Sequence, residues 1–218
     1  AKNGEKIAAE ISKRLDMEIE VIAGTEEAAI VCQAHTGGDT NRDLVYVDVG
    51  GGSTEISLIS NGEMVSTTSY KIGTVRILNG AYDNDVKEQM VRDLELMAID
   101  HPKLTIVGAG GNINKLFEIA LEREAEGQSF KTEMLHSLYD DLRSVSIEER
   151  IEKFKLKPDR ADVIVPAAEI FLTIAHALNA TEIEVPSTGL VDGIIDGIFI
   201  QNQNKAARSG RKKTQFLK

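Results

Sequence analysis

Cysteine is nearly absent. Cys32 is the only one in 218 residues, which excludes a disulfide framework and a thiolate metal site. It closes the apolar run Ala28-Ala29-Ile30-Val31, where a thiol serves best as a small buried hydrophobe. Long apolar runs are missing too. Nothing approaches the roughly 20 consecutive apolar residues that cross a bilayer, no signal-peptide pattern opens the chain, and no internal repeat divides it. These absences point to a globular chain in a reducing cytoplasm, with no membrane partner. An apolar fraction of 42% and a charged fraction of 28% suit such a chain. Basic charge is scarce except at one end. Against a net charge of −10, Gln201–Lys218 holds six Lys or Arg and no acid, leaving −16 on the rest. So acidic a body argues against a nucleic-acid-binding face. The 201–218 tail reads as a disordered basic segment, with contact to a polyanion as the other reading.

What is present centres on Asp48-Val49-Gly50-Gly51-Gly52-Ser53-Thr54-Glu55. Leu44-Val45-Tyr46-Val47 ahead of it reads as a buried strand, and Ile56-Ser57-Leu58-Ile59 behind it as a second. Three glycines between two strands allow positive φ and close approach of backbone to a ligand. Their N–H groups, with the Ser53 and Thr54 hydroxyls, can converge on a phosphate. Asp48 and Glu55 bracket the turn. Carboxylates beside a phosphate repel it unless a hard cation lies between, and Mg²⁺ is the usual one. The plain alternative is a glycine-rich hairpin whose acids face water.

The rest of the chain frames that turn. An amphipathic helix carries Ile7, Ala8, Ile11 and Leu15 on one face, and Ile19-Glu20-Val21-Ile22 alternates like a short strand. Thr25 caps a helix over Glu26–His35, and Glu26 and Glu27 in its first turn suit the helix dipole. Three strands follow, over Leu44–Val49, Thr54–Ile59 and Glu63–Tyr70, joined by tight turns. A long helix capped by Asp85 ends at His101-Pro102. Leu104–Val107 is a strand that runs through Gly108-Ala109-Gly110-Gly111-Asn112 into another helix. That junction is either a helix N-terminus open to phosphate or glycine used for packing. Helices over Thr132–Arg143, Ser146–Phe154 and Ala161–Leu178, a strand over Thr181–Val185 and a helix over Leu190–Ile200 complete the order. Three strands followed by alternating helices and strands describe an α/β ribonuclease-H-like (actin-like ATPase) domain with a mixed five-stranded sheet and flanking helices. Residues 1–35 read as the end of a first such domain, 36–200 as the second, and 201–218 as the tail.

Taken together, these stretches resemble the exopolyphosphatase / guanosine pentaphosphate phosphohydrolase family. The resemblance is carried by Ile22-Ala23-Gly24-Thr25-Glu26-Glu27-Ala28, the Asp48–Glu55 segment, Lys71-Ile72-Gly73, Gly108-Ala109-Gly110-Gly111, Arg160-Ala161-Asp162-Val163-Ile164 and Gly189-Leu190-Val191-Asp192-Gly193. The family usually has Arg and Glu where Val191 and Asp192 stand. The resemblance implies that Glu26 is the catalytic base orienting water toward a terminal phosphate, with Glu27 as support. It also implies that Gly50, Gly51, Gly52, Ser53 and Thr54 hold phosphoryl oxygens, and that Asp48 and Glu55 hold Mg²⁺. The implied activity is release of terminal phosphate from inorganic polyphosphate or guanosine pentaphosphate. Family members open with an Asp-x-Gly-Ser phosphate loop ahead of the equivalent of Ala1, so the chain reads as a fragment of a short-form parent and inactive alone. A non-catalytic module binding polyphosphate or guanosine tetraphosphate is the alternative, and a kinase of the same superfamily a third. A homodimer is left open.

Overall fold

Val45, Val47 and Val49 alternate with Leu44 and Tyr46 along one strand, and all five are buried. A strand apolar on both faces belongs in the middle of a sheet covered on both sides. The computed structural model puts it there. The described residues are 3–22, 26, 30–31, 41–123, 127–186, 191, 194, 195 and 198. Among them β1 (Leu44–Val49), β2 (Thr54–Ser60), β3 (Glu63–Tyr70), β4 (Thr105–Ala109), β5 (Ser129–Lys131) and β6 (Glu182–Glu184) form one sheet, ordered β3-β2-β1-β4-β6-β5. β1 runs antiparallel to β2 and parallel to β4, and β6 is parallel to β4. The sheet is mixed, as expected, but has six strands rather than five. β5 holds one apolar residue, Phe130, and exists by pairing antiparallel with β6.

The helices α1 (Gly4–Leu15), α2 (Thr74–Leu78), α3 (Asn84–Asp100), α4 (Gly111–Leu121), α5 (Thr132–Arg143), α6 (Ile147–Phe154), α7 (Pro158–Ala161) and α8 (Ile164–Ala177) follow in chain order. α8 is apolar nearly all round, with ten buried residues including Phe171, as a helix in the centre of a core must be. On one face of β1, Val45, Val47 and Val49 join Met90 and Leu94 of α3, Ile113 and Leu116 of α4, Leu135 and Leu138 of α5, and α8 in one cluster. On the other, Leu44 and Tyr46 pack with Ile59, Val107 and Val31. Phe171 is fully buried, so Phe171→Ala is expected to cost about 3–5 kcal/mol. Urea unfolding followed by circular dichroism measures that cost directly.

Two local expectations are corrected. Ile19–Ile22 is not a strand: alternation without a neighbouring ladder leaves backbone groups unpaired, and Ile19 and Val21 stay exposed. The cap of α3 is Asp83, whose carboxylate accepts from the Asp85 amide. The α1 apolar face exists, but Ile7, Ile11 and Leu15 are exposed and no α1 residue is buried. Among the described residues no helix is long and apolar enough to cross a membrane. The expectations for Thr25, Glu27, Cys32, Asp192 and the 201–218 tail lie outside the described residues.

Candidate functional site

The Gly50–Ser53 turn joins the C-terminal end of β1 to β2 and lies against the start of α2. The sequence gives α2 a close approach because its N-cap, Gly73, has no side chain. A Cβ there would stand 2.5 Å from the carbonyl carbon and oxygen of Gly51 and 2.6 Å from the Ser53 nitrogen. Such distances are sub-van-der-Waals against backbone that cannot rotate aside, so position 73 must be glycine for turn and helix to meet. Contact is sealed by hydrogen bonds. The Thr74 amide donates to Gly50 O at 3.0 Å, the Val75 amide to Gly51 O at 3.0 Å, and the Arg76 amide to Gly51 O at 3.3 Å. Arg76 Nε donates to Gly52 O at 2.6 Å.

All three glycine carbonyls are therefore directed at α2. In a trans peptide plane the N–H points opposite to the preceding C=O, so the amides of Gly51, Gly52 and Ser53 are turned away from α2. Among the described residues, none of the three donates a hydrogen bond. Gly51 and Gly52 are also exposed. Three successive outward amides are the arrangement that binds an anion. The expected positive φ is corrected, however: none of Gly50, Gly51 and Gly52 is in the left-handed region. What glycine supplies here is bare backbone.

The hydroxyls divide. Ser53 Oγ donates to Glu55 Oε1 at 2.7 Å, and so does Ser69 Oγ of β3 at 2.9 Å. Thr54 is fully buried and donates to Ile72 O at 2.7 Å. It braces the turn against the segment leading to α2, and its hydroxyl is not available to a phosphoryl oxygen; the expectation for that side chain is corrected on burial. Beside it, Tyr70 pairs with Thr54 across β2–β3. Burial and a 2.8 Å bond to the Asp93 carboxylate push the Tyr70 hydroxyl well above its ordinary pKa, so it stays protonated.

Asp48 and Glu55 sit directly opposite each other across β1–β2, and opposed residues share a face with Cβ atoms about 5 Å apart. Asp48 also reaches the second glycine junction. A Cβ on Gly110, whose φ is +92°, would stand 2.7 Å from Asp48 Oδ1. Gly110 is the N-cap of α4, so the carboxylate lies where a helix dipole favours negative charge. Gly108 serves packing instead: a Cβ there would press on Ile113 Cγ1 at 2.8 Å. The two readings of that junction thus apply to different glycines. Arg160, at the end of α7, donates to Gly111 O and brings a guanidinium to the same place.

Glu26 is helical and exposed. Val31, five residues on, packs against Leu44 and Tyr46. Strand alternation puts Asp48 on the face of those two residues. The structure thus brings together the glycine turn, Ser53, Asp48 and Glu55, and adds Gly73, Arg76, Ser69 and Arg160. Those four lie 16 to 107 residues beyond Ser53 in sequence. Gly73 and Arg160 fall in stretches that carry the family resemblance, with no role attached to either, and nothing in the sequence marks Arg76 or Ser69.

Comparison with known proteins agrees with this architecture. A guanosine-5'-triphosphate,3'-diphosphate pyrophosphatase of Aeromonas salmonicida is 28% identical over 225 residues, covering 95% of this chain and 44% of that protein. One from Aliivibrio fischeri is 29% identical over 204 residues, covering 87% and 41%. The chain spans less than half the length of these curated relatives. Among solved structures, the Aquifex aeolicus Ppx/GppA phosphatase superposes with a TM-score of 0.72 at 23% identity, covering 89% of this chain and 70% of that one. An exopolyphosphatase from Cytophaga hutchinsonii superposes at 0.70 with 20% identity, covering 90% and 70%; at these identities both speak for the fold, an actin-like ATPase one. The family model described as Ppx/GppA phosphatase matches residues 1–201, and the chain belongs to that family.

Proposed function

We propose that this chain carries the phosphate-gripping half of a phosphohydrolase that releases terminal phosphate from inorganic polyphosphate or guanosine pentaphosphate. The observation that carries the proposal is the row of three undonated amides at Gly51, Gly52 and Ser53, beside two facing carboxylates. The names of the relatives supply the substrate class.

The residues fit a bound Mg²⁺. Asp48 and Glu55 offer hard oxygen donors on one face. A two-carboxylate platform that leaves the other positions to water and phosphate is the usual Mg²⁺ arrangement. When bound there, the cation would neutralise charge on the phosphoryl oxygens.

The protein's own groups then have three tasks. The Gly51, Gly52 and Ser53 amides hold the terminal phosphoryl group, with Gly50 and Thr54 fixing the turn's shape. Arg160, beside the second glycine junction, offers charge to the next phosphate of the chain. Glu26 orients a water in line with the scissile P–O bond and takes its proton as the new P–O bond forms and the bridging oxygen departs with the shortened chain. Catalysis of this kind rests on positioning and charge.

Malachite-green detection of phosphate released from polyphosphate and from guanosine pentaphosphate, with and without EDTA, tests the proposal. In a phosphohydrolase that contains this half, Mg²⁺-dependent release is expected; absence of both release and binding would refute the proposal. A second reading is a non-catalytic polyphosphate- or alarmone-binding module. Binding by calorimetry without release would select it. Homodimerisation and a cytoplasmic location belong to the same proposal.

A further inference from the structure

Three carbonyls orient the phosphate turn, but they are not held alike. Gly50 O and Gly51 O accept from backbone amides of α2, which almost any residue would provide. Gly52 O accepts from a side chain, Arg76 Nε, at 2.6 Å. Arg76 is half-buried, and among the described residues its guanidinium has no carboxylate partner. Arg76 is thus spent on one carbonyl of the turn, as Arg150 and Arg160 are spent on carbonyls elsewhere in the chain.

We propose that Arg76 is a positioning residue of the phosphate turn. Its Nε–H···O bond to Gly52 fixes the Gly52–Ser53 peptide plane, and thereby aims the Ser53 amide at the bound phosphoryl group. The Gly51 and Gly52 amides need no such help, since their planes are pinned by α2 backbone. Arg76 thus sets whether the turn grips with two amides or three. The inference rests on the proposal that this turn binds phosphate, and deepens it by naming the residue that completes the grip.

The experiment is a titration of the isotopically labelled chain with tripolyphosphate and Mg²⁺, followed by ¹⁵N–¹H spectra and calorimetry. In the wild type, the Gly51, Gly52 and Ser53 amide resonances are expected to shift together. In Arg76→Ala, Gly51 and Gly52 should still shift while Ser53 does not, and affinity should fall about tenfold to a hundredfold, the size of one charge-assisted hydrogen bond. A merely structural role would scatter shifts throughout the turn and not single out one amide. Arg76→Met keeps the stem without any N–H donor, so it should lose the Ser53 shift as well. It also covers the case in which the alanine variant does not fold. If Ser53 responds in either variant as it does in the wild type, Arg76 has no such role, and the phosphate site stands without it. If the wild-type amides do not respond at all, the phosphate site falls and this inference falls with it.

Discussion

Gly73→Ala is expected to weaken tripolyphosphate binding by about a hundredfold or more. The reason is geometric. The added Cβ would lie 2.5 Å from the Gly51 carbonyl and 2.6 Å from the Ser53 nitrogen, against roughly 3.5–4.0 Å for relaxed contact between carbon atoms. Neither neighbour is a side chain that can swing away, so the turn and α2 must separate by about an ångström. That separation breaks the bonds from Thr74, Val75 and Arg76 that aim all three amides. Loss of two charge-assisted hydrogen bonds at about 1.5–3 kcal/mol each accounts for the factor. Overpacking should also lower stability by about 1–3 kcal/mol. Gly52→Ala is the control for the fold. Nothing lies within 4 Å of its would-be Cβ and its φ is not left-handed, so the melting temperature should stay near that of the wild type. Calorimetry decides the matter, and a Gly73→Ala chain that binds tripolyphosphate like the wild type removes the turn from the site.

The difference between those two glycines is also a measure of what sequence can show. The run of three is conspicuous and marks the turn at once, with β1, β2 and β3 readable on either side. Those strands are read because their patterns are local: alternating apolar residues bounded by turn residues, with loops of four and two residues between them. The limits of α5 and of α6, read as Thr132–Arg143 and Ser146–Phe154, are legible for the same reason. Gly73 is the more constrained position, yet alone it looks like an ordinary helix entry. Its demand comes from a turn twenty residues upstream, and appears only once α2 folds back. Arg76 is hidden in the same way; Arg160 opens a stretch that carries the family resemblance, but its contact with Gly111, 49 residues away in sequence, is not readable there. Thr54 misled in the opposite direction. A hydroxyl next to a phosphate turn suggests a ligand, but strand alternation aims it inward to Ile72 O. β5 escaped because three residues with one apolar member carry no period, and its partner β6 lies some fifty residues on. The Ile19–Ile22 stretch shows the converse, since a period with no partner makes no strand.

Glu26→Gln, made in a phosphohydrolase that contains this half, is expected to cut phosphate release by about 10²–10⁴-fold, the range for losing a positioned general base, while leaving tripolyphosphate binding near the wild-type value. The substitution is nearly isosteric, Glu26 is exposed, and Val31, five residues on, is what packs against Leu44 and Tyr46. Fold and phosphate turn should therefore be undisturbed. What is lost is the ability to take a proton from the attacking water, since a carboxamide oxygen orients water but is a very weak base. The loss belongs in kcat and not in KM, because an interaction made only as the proton moves does not contribute to ground-state binding. The structural alternative for Glu26, a carboxylate that merely favours the start of its helix, predicts a different pattern: a small loss of stability, about 0.3–1 kcal/mol, with turnover kept. Undiminished release by Glu26→Gln would give the residue that lesser role and return the search for the base to the neighbours of Asp48.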